Sequence, residues 1–311
     1  MRASATDVIR RGFDNTIANW PLLLIRIAEG IVMMILVVGA VLAIIIPVIV
    51  SLGLNTTTFE NPADVAAVLV GMVVDHWMVI VYVIAVVTLM LTVLVALHSF
   101  VEAGSARVYI DGERIAGPAM LGPRDRFKVF SADRWLEGGK RDWWSVFWIY
   151  NFAWAIASLI IFVPFLIAAA LMFVVRDEPA AVAGIGCLAV TFLIFFTIAV
   201  VVVTNIWCQK AIVVCAARTH RAVGALGEAW REFRADAGRH IGVALILFLL
   251  MMVGTGVFAS FSAMTGISDA PSFALAVMPM QMVGSFANTI FSTIMAAWFL
   301  ACFAALSVEP R

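Results

Sequence analysis

The sequence is short of charge, short of cysteine and nearly without lysine. Charged residues make up 13% of its 311 positions, about half the share found in a soluble domain. Against that, 64% of the residues are hydrophobic. Hiding so much apolar side chain from water needs an interior larger than a chain of this length encloses, which excludes an ordinary soluble globule and leaves a bilayer as the medium. The four cysteines, Cys187, Cys208, Cys215 and Cys302, stand singly in or beside apolar runs. Without a CxxC pair they give no sign of a zinc site or a dithiol redox centre; Cys208 and Cys215 can share a helix face as small packed hydrophobes. Of the 20 basic residues only Lys128, Lys140 and Lys210 are lysine, a bias that fits a GC-rich bacterial genome. Metalloprotease HExxH, hydrolase GxSxG, Walker A and GxGxxG patterns are all missing. The expectation is therefore a protein that is not an enzyme, with no catalytic residue, metal or cofactor to assign. A cleavable leader is not expected either, because the first apolar run is far longer than a signal h-region of about 7–15 residues.

What is present is apolar length. A span needs about 20 apolar residues to cross about 30 Å of hydrocarbon. Six runs reach it, at about 22–50, 77–97, 144–175, 179–209, 241–263 and 283–307. Pro47 and Pro164 lie inside the first and third and should bend their helices. Asn61-Pro62 followed by Asp64 reads as a helix start and predicts a short amphipathic helix over about 63–74.

Arginine is distributed unevenly between the connections. The N-terminal segment carries Arg2, Arg10 and Arg11, the stretch 105–143 runs from Arg107 to Arg141, and 210–240 from Lys210 to Arg239. The stretches 51–76 and 264–272 carry no basic residue, and 176–178 has only Arg176. Arginine-rich segments stay on the cytoplasmic side. With six spans, both termini then lie inside.

Three basic, aromatic stretches precede the first, third and fifth spans, at about 5–20, 124–143 and 218–239. Ile9, Phe13, Ile17 and Trp20 recur at helical spacing in the first, opposite Arg10, Arg11 and Asp14. Val223, Leu226, Trp230, Phe233 and Ala237 do so in the third, opposite Arg221, Glu228, Arg231, Glu232 and Arg234. The middle copy, with Phe127, Phe130, Trp135 and Leu136, is less regular. Such helices lie at the headgroup boundary with the basic face toward anionic lipid. Trp20, Trp135, Trp143, Trp144, Trp230, Arg231 and Arg234 are the residues expected at that interface. The fold class predicted is all-α integral membrane: six transmembrane helices as three hairpins, each preceded by an interfacial amphipathic helix, in a single polytopic domain over 1–311.

Charges within or near spans are the usual pointers to function. Arg26 and Glu29 share a helix face; they line a polar path, or Arg26 snorkels to the interface and Glu29 neutralises it. His98 and Glu102 have the spacing of a proton relay, or form a partly wet pair at a span end. Asn151, Asn205 and Asn288 serve interhelical hydrogen bonding or contact a substrate. Gly256 and Ser260 are a small-residue pair suited to close helix packing. The basic stretches hug span ends and interleave with Trp and Phe, so the partner expected is membrane lipid, including anionic headgroups on the cytoplasmic face, together with a membrane protein, and not nucleic acid.

The opening DVIRRGFDNTIANWPLLL, the segment FSADRWLEGGKRDWWSVFWIYN and the segment LGEAWREFRADAGRHIGVAL resemble the membrane-domain family associated with glycerophosphoryl diester phosphodiesterases, and related bacterial multi-span proteins. They touch the three repeat starts; the spans between match in character alone. The resemblance implies the membrane part only. The namesake enzymes carry a soluble catalytic domain after it, and the sequence stops at Arg311, so no phosphodiesterase activity and no catalytic residue is carried over. Three functions are open: a scaffold or accessory component of the bacterial inner membrane, a transporter or permease for a small or lipid-like substrate, or, ranked last, an intramembrane enzyme acting on lipid.

Overall fold

A computed structural model describes residues 4–52, 77–117, 123–174, 176, 178–218, 221–262 and 271–308. The helix expected over about 63–74 and most of the acidic connections lie outside them. All regular structure among the described residues is helical. Eight α-helices follow one another: α1 (Ala5–Ala18), α2 (Pro21–Leu52), α3 (Trp77–Ala116), α4 (Ala132–Val174), α5 (Pro179–Arg218), α6 (Ala222–Ala235), α7 (Ala237–Ser262) and α8 (Pro271–Val308), with a 3-10 turn at Arg124–Phe127 before α4. Six of them, all but α1 and α6, are long and apolar enough to cross a membrane. The chain is a multi-pass membrane protein.

The helix boundaries follow local chemistry. Ser4 caps α1: its hydroxyl accepts from the Asp7 amide at 3.2 Å, and the Asp7 carboxylate accepts from the Ser4 amide at 3.0 Å. The Ser4 hydroxyl, donating to Asp7 Oδ2 at 2.6 Å, and the Ser4 amide together hold the Asp7 carboxyl below its ordinary range. Pro21 opens α2, where a missing N–H costs nothing. Asp236 leaves the helical region (φ −148°) and separates α6 from α7. No comparable break follows the middle basic stretch. Its residues from Ala132 onward run straight into the third span as one 43-residue helix, α4. The interior prolines, Pro47, Pro164 and Pro279, sit within α2, α4 and α8.

The chain divides into two compact units, residues 25–98 and the remainder. The first comprises the apolar lengths of α2 and α3, where Tyr82 donates its hydroxyl proton to the Ala43 carbonyl at 2.8 Å. In the second, α4 packs on α5 and α7 on α8, while α1 lies against α8 and α6 against α5.

The core of the second unit is built from the C-terminal ends of α3, α5 and α8. Tyr109 and Ile110, Ile212 to Ala216, and Leu300 to Ala304 have no exposure. The apolar windows of the α4, α5 and α7 spans are at most 17% buried, against 50% for α8. This reverses the order of a water-soluble protein. The ends that leave the hydrocarbon are packed by protein, and the apolar lengths are left for lipid.

Three similar sets of contacts join the basic segments to helix ends. Trp207 on α5 donates its indole N–H to the Leu226 carbonyl of α6 at 2.8 Å, and its ring meets Trp230. Trp298 on α8 donates to the Ile9 carbonyl of α1 at 2.8 Å, and its ring meets Phe13. On α3 the same place is taken by Phe100, which packs edge-on against Trp135 of α4 and fills the space beside Gly139. Each basic segment therefore docks on the helix end that precedes it, and α8 closes the circle by docking onto α1. Small residues make the crossings possible. A Cβ on Gly12 would come within 2.9 Å of the Cys302 backbone nitrogen, and one on Gly138 within 2.6 Å of the Arg107 side chain.

The buried faces of α1 and α6 differ from the faces expected. On α1 the buried residues are Val8, Gly12, Asn15 and Thr16, while Ile9, Phe13 and Ile17 are half-buried and Trp20 is exposed. On α6 they are Ala222, Ala225, Leu226, Ala229 and Phe233, with Val223 71% exposed. Close approach at the crossings favours small side chains over bulky ones, so hydrophobicity alone misplaces the contact stripe. Close packing between α7 and α8 likewise falls at Gly254, against the Phe291 ring, with open space beside Gly256.

Candidate functional site

Two groups of polar side chains sit where water is scarce. The first is in the unit of α2 and α3. Arg26 and Glu29 are buried one helical turn apart on α2, and the His98 Nδ1 of α3 lies 2.7 Å from the Glu29 Oε1. Glu29 is thus joined to the partner helix through His98. Glu102, one turn beyond His98, belongs to the other unit and is 3% exposed.

The second group joins the helix ends. At equivalent places on the three basic segments stand Asn15, Arg141 and Glu232, and each reaches for the far end of a core helix. Asn15 donates its side-chain amide to the Tyr109 carbonyl at 2.9 Å. Arg141 donates to the Ala216 carbonyl at 3.2 Å and holds Asp142 at 2.6 Å. Glu232 is a carboxylate and has no proton to give. Lys210 bridges the gap: its ammonium, fully buried, lies 2.8 Å from Glu232 and donates to Ser307 Oγ at 2.8 Å and to the Leu306 carbonyl at 3.4 Å. A lysine offers three protons, and here all three have acceptors.

Arg218 extends this cluster, pairing with Glu228 and lying 2.8 Å from Glu232. Burial alone would push the Glu232 carboxyl up. The charges and hydrogen bonds of Lys210 and Arg218 outweigh it and pull it down to about 2. His240 closes the cluster's edge: Nδ1 lies 2.8 Å from the Asp236 carbonyl oxygen, Nε2 is buried without a hydrogen-bond partner, and the ring meets Phe233 and Phe303.

Around Asn15 a matching network ties α1 to the other segments. Glu113, 1% exposed, pairs with Arg11 and accepts from the Asn15 amide at 3.0 Å. Asn19 accepts from the Val129 and Phe130 amides at 3.1 and 2.9 Å and donates to the Phe127 carbonyl at 2.8 Å. One asparagine thereby satisfies the backbone of the bend leading into α4. Arg124 adds a more exposed pair with Asp14 at 2.9 Å.

The remaining residues singled out in the sequence are dispersed. Asn151 is exposed and donates to its own helix at the Phe147 carbonyl, 2.8 Å away. Asn205 is exposed, and Asn288 is half-buried with an unpartnered Oδ1. Trp143, Trp144, Phe147, Trp148 and Phe152 form a continuous ladder of ring contacts along α4, with Trp144 half-exposed. Trp135 is half-buried between α3 and α4. Trp230 is partly exposed, and Arg231 and Arg234 are exposed.

Lys210, Glu113, Asn15 and Asn19 were not singled out from sequence. Lys210 carried a signal, being a lone charge between Cys208 and Cys215 in a mostly apolar run. Glu113 gave none, since its buried place depends on Arg11 far away in the chain. Among the described residues no group of three or more His, Cys, Asp or Glu is placed to hold a metal ion. No family model, no curated protein and no solved structure matches the chain.

Proposed function

We propose that the protein is a non-enzymatic scaffold or accessory component of a bacterial inner membrane. Its termini and arginine-rich segments face the cytoplasm, and its partners are membrane lipid and a second membrane protein. The observation that carries this reading is the closure of the Lys210 cluster. The ammonium spends every proton on Glu232, Ser307 and Leu306, so the buried charge of Lys210 serves cohesion of the helix ends. The apolar spans, little covered by their own unit, supply the surface a membrane partner needs.

The test is crosslinking in native membranes followed by pull-down. A constant partner across growth conditions supports the reading; recovery of nothing but an unselective set of abundant membrane proteins overturns it. Cysteine labelling near Arg126 or Arg231 from outside intact cells would overturn the orientation.

A second reading, a transporter for a small or lipid-like substrate, is favoured by Glu29 and His98 meeting at 2.7 Å within paired spans. Ionisable groups at membrane depth commonly relay protons or ions. Replacing both, Glu29→Gln with His98→Gln, should abolish proton-coupled uptake in vesicles; uptake at the unaltered rate removes this reading.

A further inference from the structure

Along α6 the charged side chains sort by sign. Glu228 and Glu232 turn into the protein toward Arg218 and Lys210. Arg231 and Arg234 stand exposed on the other side, and Arg221 is exposed at the N-terminal cap. Among the described residues these three arginines enter no ion pair. At 3.6 residues per turn, Gly224, Gly227, Arg231 and Arg234 lie opposite the buried stripe of Ala225, Ala229 and Phe233. Gly227 has open space around it, and the face is flanked by Val223, 71% exposed, and Trp230, 37% exposed. The inward pairing of both glutamates is what makes this face uniformly basic. A sequence wheel places them among the arginines.

We propose that this face of α6 binds anionic phospholipid headgroups at the bilayer surface. Guanidinium groups match phosphate oxygens in a two-pronged geometry. Val223 and Trp230 would enter the glycerol and upper acyl region beside them, a gain that a soluble anion does not provide. Lipid is also the anion already at hand. The helix is joined at one end to α5, which stops at Arg218, and at the other to α7, which starts at Ala237. Both are spans. The inference rests on the membrane placement proposed above and names the residues that read the headgroup charge.

The experiment uses the full chain in vesicles, with a fluorophore on Gly227→Cys and with Cys187→Ser removing the one exposed native thiol among the described residues. Quenching is compared between brominated phosphatidylglycerol and brominated phosphatidylcholine at equal mole fraction. Each arginine contributes about a fivefold preference for an anionic surface, so phosphatidylglycerol should quench several-fold more efficiently. Arg231→Gln with Arg234→Gln should remove most of that preference, while Arg231→Lys with Arg234→Lys, which tests the charge without emptying the positions, should keep much of it. Inorganic phosphate at matched concentration should change nothing. Equal quenching by the two lipids, a preference that survives the glutamine pair, or its loss to inorganic phosphate each overturns the proposal while leaving the membrane placement intact. Quenching by neither lipid overturns that placement as well.

Discussion

Replacing Lys210 with methionine is the sharpest perturbation available. The substitution keeps the volume of the side chain and removes one charge and three protons. Glu232 is left with Arg218 at 2.8 Å as its cation, and Ser307 Oγ and the Leu306 carbonyl lose their donor. Breaking a buried ion pair by deleting one partner costs about 3–5 kcal/mol, because the other charge stays buried. The retained Arg218 puts Lys210→Met near the lower end. At roughly 2–4 °C for each kcal/mol, melting should fall by about 10 °C. A thiol-reactive dye suits the assay, because Cys208, Cys215 and Cys302 are buried and become reactive only on unfolding, once exposed Cys187 is replaced by serine. Unfolding in micelles is irreversible, so variants are compared at one scan rate. The decisive variant is Lys210→Met with Glu232→Met, which removes both charges. Arg218 keeps Glu228, so the pair should lose much less than the two single substitutions summed. A Lys210→Met protein melting within about 2 °C of the parent, or a double variant showing the full sum, would refute the bridging role.

Further outcomes follow from the same contacts. Against the effect of burial, Lys210 and Arg218 pull the Glu232 carboxyl from its ordinary 4.5 down to about 2, so its share of stability is complete above about pH 4.5 and is lost as pH falls from there toward 2; Glu232→Gln should lack that part of the acid melting curve. Gly12→Ala places a Cβ within 2.9 Å of the Cys302 backbone and should cost about 1–3 kcal/mol in thermal stability. Gly227→Ala, with open space around it, should stabilise α6 by about 0.5–1 kcal/mol. Trp207→Phe and Trp298→Phe each remove one equivalent indole donor at 2.8 Å and should cost similar amounts, about 1 kcal/mol; a loss confined to one of them would argue against the threefold equivalence.

Apolar length determined, from the sequence alone, that this is a helical membrane protein with six candidate spans. It did so because hydrocarbon admits few backbone solutions, and a run of apolar residues long enough to cross it can be counted without knowing its neighbours. Three basic, aromatic stretches could likewise be read in the chain before any contact is drawn. Which side of α1 and α6 is buried was not legible. The crossings at Gly12 and Gly138 select for smallness, and on α6 Val223 stays outside while Ala225 goes in. Nor could the sequence pair Glu29 with His98, Glu113 with Arg11, or Lys210 with Glu232. Each pair joins residues from different helices, and a charge is cheap to bury only where a distant segment brings its counter-charge. The tertiary structure alone decided those meetings, and with them which arginines were left facing outward.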